Sequence, residues 1–307
     1  MTSAISQDIL DAFLYNPTNE QKLLDACSAN DTKTVEELLD ACSANDTKTV
    51  EELLDAGVNI NTQDRNKDTP LHKACRAGDE QIVQLLLNRK ANVNLKNRDQ
   101  QTPLHVASSQ GSEINVRCLY EAGASIDEKA CDITPLHLAA KNAHSLAMQV
   151  LIANGANVNE KSDFGNPLNQ AAGVDVDSPV CVEVLLNNGA SIDEGGFMGT
   201  PLYSAVSKGN INIVKFLLAH DATINQGAFN SACGKQHHRI VKLFLASGAD
   251  INVKNSRGET LLHRACKEAN KPLALFLQRY GADINATDNQ GQTPLQVACL
   301  KPPYQPF

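Results

Sequence analysis

There is no tryptophan in this chain, and aromatic residues make up only 4% of it. A core built around large rings is excluded; the abundant Leu, Ile, Val and Ala suit short, closely packed helices instead. No apolar run approaches the ~20 residues a helix needs to cross a bilayer. The opening MTSAISQDILDAF places acidic residues where a secretory leader carries basic ones, so a soluble protein that is not exported is expected. CxxC pairs, P-loop, HExxH and GxSxG sequences are missing, as is a GxGxxG after a strand, which removes the usual signatures of metal, nucleotide and nucleophile chemistry. Positive charge is in deficit too: 27 Lys and Arg against 35 Asp and Glu leave a net −8, a balance that repels nucleic-acid phosphates. No enzymatic activity, cofactor, metal, nucleic acid or membrane partner is expected.

What the chain has is repetition. TPLH at residues 69–72 returns at 102–105 and 134–137, and altered forms follow. Its leucine or the equivalent residue falls at Leu71, Leu104, Leu136, Leu168, Leu202, Phe229, Leu262 and Leu295, in steps of 33, 32, 32, 34, 27, 33 and 33 residues. Self-similarity at this period marks stacked supersecondary units, none of which can bury its apolar face alone.

Residues 69–94 show how one unit is punctuated. Thr69 is a good N-cap, and Pro70 costs no hydrogen bond at the first helical position. Leu71, Ala74 and Cys75 share a helical face, Gly78-Asp79 ends that helix, and Ile82, Val83, Leu85, Leu86 and Leu87 supply the apolar side of a second one. The polar stretch 95–101 then carries the chain to the next cap as an extended turn.

The pattern TPLHxAxxxG, an IVxLLL-like second helix and a GA-N/S/D-V/I-N/D ending stand at residues 69–94, 102–127, 134–159, 200–225 and 260–285. On these residues the chain resembles ankyrin repeats over about residues 22–300. The resemblance implies an all-α ankyrin-repeat solenoid of stacked helix-turn-helix units with projecting β-turn fingers. It also implies a non-catalytic task, the binding of other proteins through fingers and first helices. About seven units are expected at 65–292, after an acidic cap at 1–64 and before an unfinished unit and Pro-rich tail at 293–307. TPLYSAV at 200–206, with the Gly-rich stretch before it, also resembles the ankyrin repeat and SOCS box receptors of ubiquitin ligases, although no SOCS box stands in these residues.

The motif histidines His72, His105, His137 and His263 recur one unit apart. Packed helices lie about 10 Å apart, whereas zinc needs its ligands near 2 Å from one point, so a metal ladder is refuted. The resemblance gives them a hydrogen-bonding role between adjacent units. Of nine cysteines, Cys75, Cys233, Cys266 and Cys299 occupy a slot that Ala140 and Ala172 also fill, which marks a small buried site and free thiols. A reducing compartment, cytoplasmic or nuclear, is expected.

Departures from the pattern are where individuality can reside. The turn at 173–179 is expanded and adds two carboxylates, and the 27-residue step before Phe229 signals a deleted finger. LLDACSANDTKTVEE at 23–37 is repeated without a gap at 38–52. A helix broken at Asn30-Asp31 and Asn45-Asp46 is expected, with Thr32, Thr34, Thr47 and Thr49 available for capping, and either copy able to dock on the first full repeat.

Charge is unevenly spread. Residues 20–55 hold ten acidic and three basic side chains, while 65–98 hold eight basic and three acidic ones. Arg65, Lys67, Lys73 and Arg76 either receive an acidic peptide or simply form a solvated face. A second candidate patch is apolar: Ile133, Phe164, Phe197 and Met198 at finger tips, with Tyr203 in a motif-histidine slot. These either form an interface or pack between fingers. The expected protein is a monomeric scaffold or adaptor for partner proteins; the alternative is the substrate-recognition subunit of a complex such as a cullin-RING ubiquitin ligase.

Overall fold

The computed structural model describes residues 32–196 and 199–299. Among them the chain forms helices joined by turns and no strand. In order these are α1 (Thr32–Ala44), α2 (Thr47–Asp55), α3 (Pro70–Ala77), α4 (Glu80–Asn88), α5 (Pro103–Gln110), α6 (Glu113–Glu121), α7 (Pro135–Lys141) and α8 (Ser145–Ala153). There follow α9 (Pro167–Ala172), α10 (Val180–Asn187), α11 (Pro201–Lys208), α12 (Ile211–Ala219), α13 (Gln226–Gly234), α14 (His238–Ala246), α15 (Leu261–Lys267), α16 (Lys271–Arg279) and α17 (Pro294–Cys299). The chain divides into two compact units, residues 1–160 and 161–307.

In the first unit, α1, α3, α5 and α7 stack as one layer and α2, α4, α6 and α8 as the other; in the second, α9, α11 and α13 stack, as do α15 and α17. Leu71, Leu104, Leu136, Leu168 and Leu202 are buried between layers, as are Ile82, Leu119, Leu151, Leu185 and Leu217 from the second helices. This is the solenoid of helix pairs that the 33-residue period requires, because each helix has an apolar stripe that only a neighbour can cover. Finger turns project between the pairs, with isolated bridges at Ala130–Ile133, Ser162–Gly165 and Gly196–Gly199.

The motif histidines tie one pair to the next. In His72 the Nδ1 accepts from the Thr69 backbone N–H (3.2 Å), so Nε2 holds the proton and donates it to the Gln101 carbonyl 2.9 Å away on the following finger. His105 reaches Ile133 O at 3.1 Å and His263 reaches Gln292 O at 3.0 Å in the same way. Asn169 replaces the ring without loss: its Oδ1 accepts from Asn166 N–H and its Nδ2 donates to Gly199 O at 2.9 Å. Tyr203 stands where the next finger is missing. Residues 220–225 run from α12 directly to α13, and Asn225 caps α13 through Ala228 N–H.

Burial pushes the His105 pKa down to about 4. An unfolded histidine takes its proton near pH 6.5, so the contribution of His105 is fully present above that pH and is lost as pH falls towards 4. Urea midpoints are therefore expected to drop between pH 7.5 and 4.5. In His105→Asn, which keeps the chemistry of Asn169 without a titrating ring, the drop is expected to shrink; an unchanged drop would deny His105 this part.

Several expectations need correction. Asp46, not a threonine, caps α2: it accepts from Thr49 N–H at 3.1 Å and from Thr49 Oγ1 at 2.6 Å, beside Asn45 at φ 61°. The Asn30-Asp31 break lies outside the described residues. The second LLDACSAN copy docks on α3, and within the acidic segment α1 and α2 form a helix pair. Cys75 and Cys233 are buried as the slot requires, but Cys266 is only half-buried and Cys299 exposed. Leu295 in α17 is 71% exposed as well. The expanded turn at 173–179 serves the fold: Asp177 accepts from Asn212 N–H at 3.0 Å and Ile213 N–H at 3.1 Å, capping α12, and Asp175 pairs with Lys208 at 2.6 Å.

Candidate functional site

The basic residues of the first full repeat separate into two kinds. Arg76, in the last turn of α3, reaches back to Asp68 with Nη1 at 2.6 Å and Nη2 at 3.3 Å. Asp68 is 3% exposed and also accepts from Asn97 Nδ2 at 2.9 Å. Burial alone would raise its pKa, but the Arg76 and Asn97 hydrogen bonds and the Arg76 charge outweigh this and hold it below the usual carboxylate range. Lys73 pairs with Asp64 at 2.8 Å. Two of the four cations proposed for a partner are thus committed to fastening the finger onto α3.

Arg65 and Lys67 are different: both are exposed, and neither has an ion-pair partner among the described residues. Lys67 holds φ 58° two residues before the N-cap of α3, a left-handed position that Gln100 shares at φ 59° in the next finger and that later fingers give to Gly258 and Gly291. A lysine there is strained by roughly 1 kcal/mol. The next finger adds Arg98, also exposed, whose backbone N–H donates to Asn66 O at 2.8 Å. This bond sets the two tips side by side. Three exposed cations therefore stand on the two adjoining tips, with the exposed Asp99 next to Arg98. The position of Arg98 is one that sequence reasoning counted as charge without recognising as part of the site.

The apolar candidates fall in different places. Ile133, in the first unit, is half-buried, and its carbonyl is the acceptor for His105. In the second unit Phe164 is 54% exposed at a finger tip, and Tyr203 is half-buried with its ring over Gly199. Phe197 and Met198 lie outside the described residues. The turn holding Phe164 rests on glycine, since a Cβ on Gly196 would lie 2.8 Å from the Phe164 carbonyl carbon.

Among the described residues no group of three or more His, Cys, Asp or Glu is placed to hold a metal, and no helix is long and apolar enough to cross a membrane. The eight cysteines there are free thiols. Burial pushes Cys42 and Cys233 up to about 12, so they remain protonated and unreactive at neutral pH.

Stacked helix pairs and projecting turns define a helical repeat protein, and comparison with known families agrees. The chain belongs to the ankyrin repeat family: a family model of ankyrin repeats (3 copies) matches residues 38–130, 119–195, 136–228 and 229–304. Ankyrin repeats mediate protein–protein interaction and are typically non-catalytic. Over 72 residues the chain is 36% identical to the probable E3 ubiquitin-protein ligase XBOS32 of Oryza sativa subsp. japonica, and equally to the E3 ubiquitin-protein ligase XBAT32 of Arabidopsis thaliana. Each match covers 21% of this chain and only 14% of the relative. Among solved structures, the ankyrin repeat domain of human ASB11 is similar with a TM-score of 0.57 and 27% identity, over 80% of this chain and 98% of that one.

Proposed function

We propose that this protein is a non-catalytic scaffold or adaptor that engages partner proteins through its fingers and first helices. The observation that carries the reading is the division of labour at the first two finger tips. Asp68, Arg76, Lys73, Asp64 and Asn97 are consumed in holding the finger, while Arg65, Lys67 and Arg98 stay exposed and unpaired, one of them in a strained conformation. Such a cluster attracts an acidic segment of a partner and speeds its approach. Phe164 offers the second unit an exposed aromatic anchor of the type found in interaction hot spots. Free thiols, four of them buried, suit the cytoplasm or nucleus.

Reversing Arg65, Lys67 and Arg98 to Glu is expected to weaken partner binding at least tenfold and to flatten its salt dependence; unchanged affinity and salt slope would defeat the reading. A second reading, the substrate-recognition part of a ubiquitin ligase such as a cullin-RING complex, is favoured by the 72-residue likeness to two plant ligases. Recovery of a cullin adaptor with the full chain supports it, and recovery of other proteins without one favours the scaffold.

A further inference from the structure

Helix α1 is a hybrid of the two identical fifteen-residue copies. Its residues 32–37 belong to the first copy, while residues 38–44 and most of α2 belong to the second. The first-copy residues Val35 and Glu36 and the second-copy residues Leu39 and Asp40 line a groove of about 480 Å³. Its other lining residues are Gln63, Asp64, Arg65 and Asn66 of the finger and Lys73 of α3.

The groove has a defined chemistry. Leu39 is 3% exposed and Val35 half-buried, which makes an aliphatic floor. Glu36 and Asp40 are exposed and have no ion-pair partner among the described residues. Asp64 and Lys73 neutralise one another opposite them, and Arg65 remains free. Two carboxylates on one wall thus face one guanidinium on the other.

The duplication changes this surface and not the core. With a single copy, LLDACSAN would be preceded by Glu20-Gln21-Lys22 in place of Val35-Glu36-Glu37. The wall would exchange an aliphatic side chain for a carboxylate, lose the free acid of Glu36, and gain a lysine for Glu37. The buried Leu38, Leu39, Ala41, Cys42 and Val50 all lie within the repeated sequence, so a single-copy chain keeps each of them.

We propose that the extra copy builds one wall of a peptide-binding groove. This rests on the interaction reading above and gives it a ligand class: an extended protein segment with a Lys or Arg for Glu36 and Asp40, an acidic residue for Arg65, and an aliphatic residue between them over Val35 and Leu39. Opposite charges on the two walls set the direction in which the segment lies, because the reversed segment would face like charges at both ends.

A random peptide library panned on the full chain provides the probe. The enriched peptides are expected to share a basic and an acidic residue flanking an aliphatic one. A synthetic consensus peptide is then titrated against the full chain and two variants. Deleting residues 23–37, which leaves the same protein as deleting 38–52, is expected to weaken binding at least tenfold, as is the exposed pair Glu36→Lys with Asp40→Lys. Both variants are expected to retain helical circular dichroism and a cooperative melt. Equal binding by either folded variant, or no enrichment over an unrelated folded protein, overturns the groove. The broader interaction reading fails on a different result, partner binding that survives reversal of Arg65, Lys67 and Arg98.

Discussion

Gly196→Ala is expected to destabilise the second unit by about 1–3 kcal/mol, the range for forcing a methyl group into a packed site. Gly196 does not hold a left-handed conformation, so alanine meets no backbone penalty there. The cost is steric. A Cβ would fall inside van der Waals contact of the Gly165 backbone N and Cα and 2.8 Å from the carbonyl carbon of Phe164. Backbone, unlike the end of a flexible side chain, cannot swing aside, so the two fingers must separate and Phe164 must shift. Gly234→Ala is the control: it ends α13, and a Cβ there meets nothing within 4 Å. That substitution is expected to be neutral or to stabilise by roughly 0.4–1 kcal/mol. Urea unfolding of both variants measures the contrast, and a Gly196→Ala protein as stable as the parent would refute the finger contact.

Asn115→Val is expected to act in the opposite direction, raising stability of the first unit by about 1–3 kcal/mol. Asn115 is fully buried in α6, and neither its Oδ1 nor its Nδ2 has a hydrogen-bond partner. The equivalent place on other second helices holds Ile82, Ile213 and Ile240, all buried. An amide withdrawn from water without a partner is costly, and removing it relieves that cost. Valine fits best, being the apolar residue nearest in volume and sharing the β-branch of those isoleucines. Ser108 Oγ is unsatisfied in the same repeat. Asn115→Asp supplies the sign check, since a buried carboxylate without a partner is expected to lower the midpoint sharply. A destabilised Asn115→Val protein would show that the amide contributes through its polarity.

Much of the fold could be read because its signals are local. Thr69, Pro70 and Gly78 act within one turn of themselves, and the leucine period needs only counting. The 27-residue step likewise announced the missing finger, and Tyr203 in the histidine slot follows from it. The site was less legible because it depends on pairing across long sequence separations. Nothing in the sequence says that Arg76 turns back to Asp68, or that Asn97 joins them from the next finger. Without that knowledge Lys73 and Arg76 look as available as Arg65 and Lys67. Arg98 enters the cluster only through its backbone bond to Asn66. The docking of the second copy was unreadable for another reason: the two copies are chemically identical, and only their position relative to α3 distinguishes them.

The central claim is that partners are held by the finger tips and first helices. Its most direct test is the partner affinity of two triple variants carrying the same change of charge. One reverses Arg65, Lys67 and Arg98 to Glu; the other reverses Arg89, Lys90 and Arg117, which lie at the end of α4 and on α6 and are also exposed, Arg89 pairing with Asp55 at 2.9 Å and Arg117 with Glu113 at 2.8 Å. The account predicts that the first set weakens binding at least tenfold with a flattened salt dependence, while the second stays within about twofold of the parent. Equal losses in both, or a loss confined to the second, would contradict it.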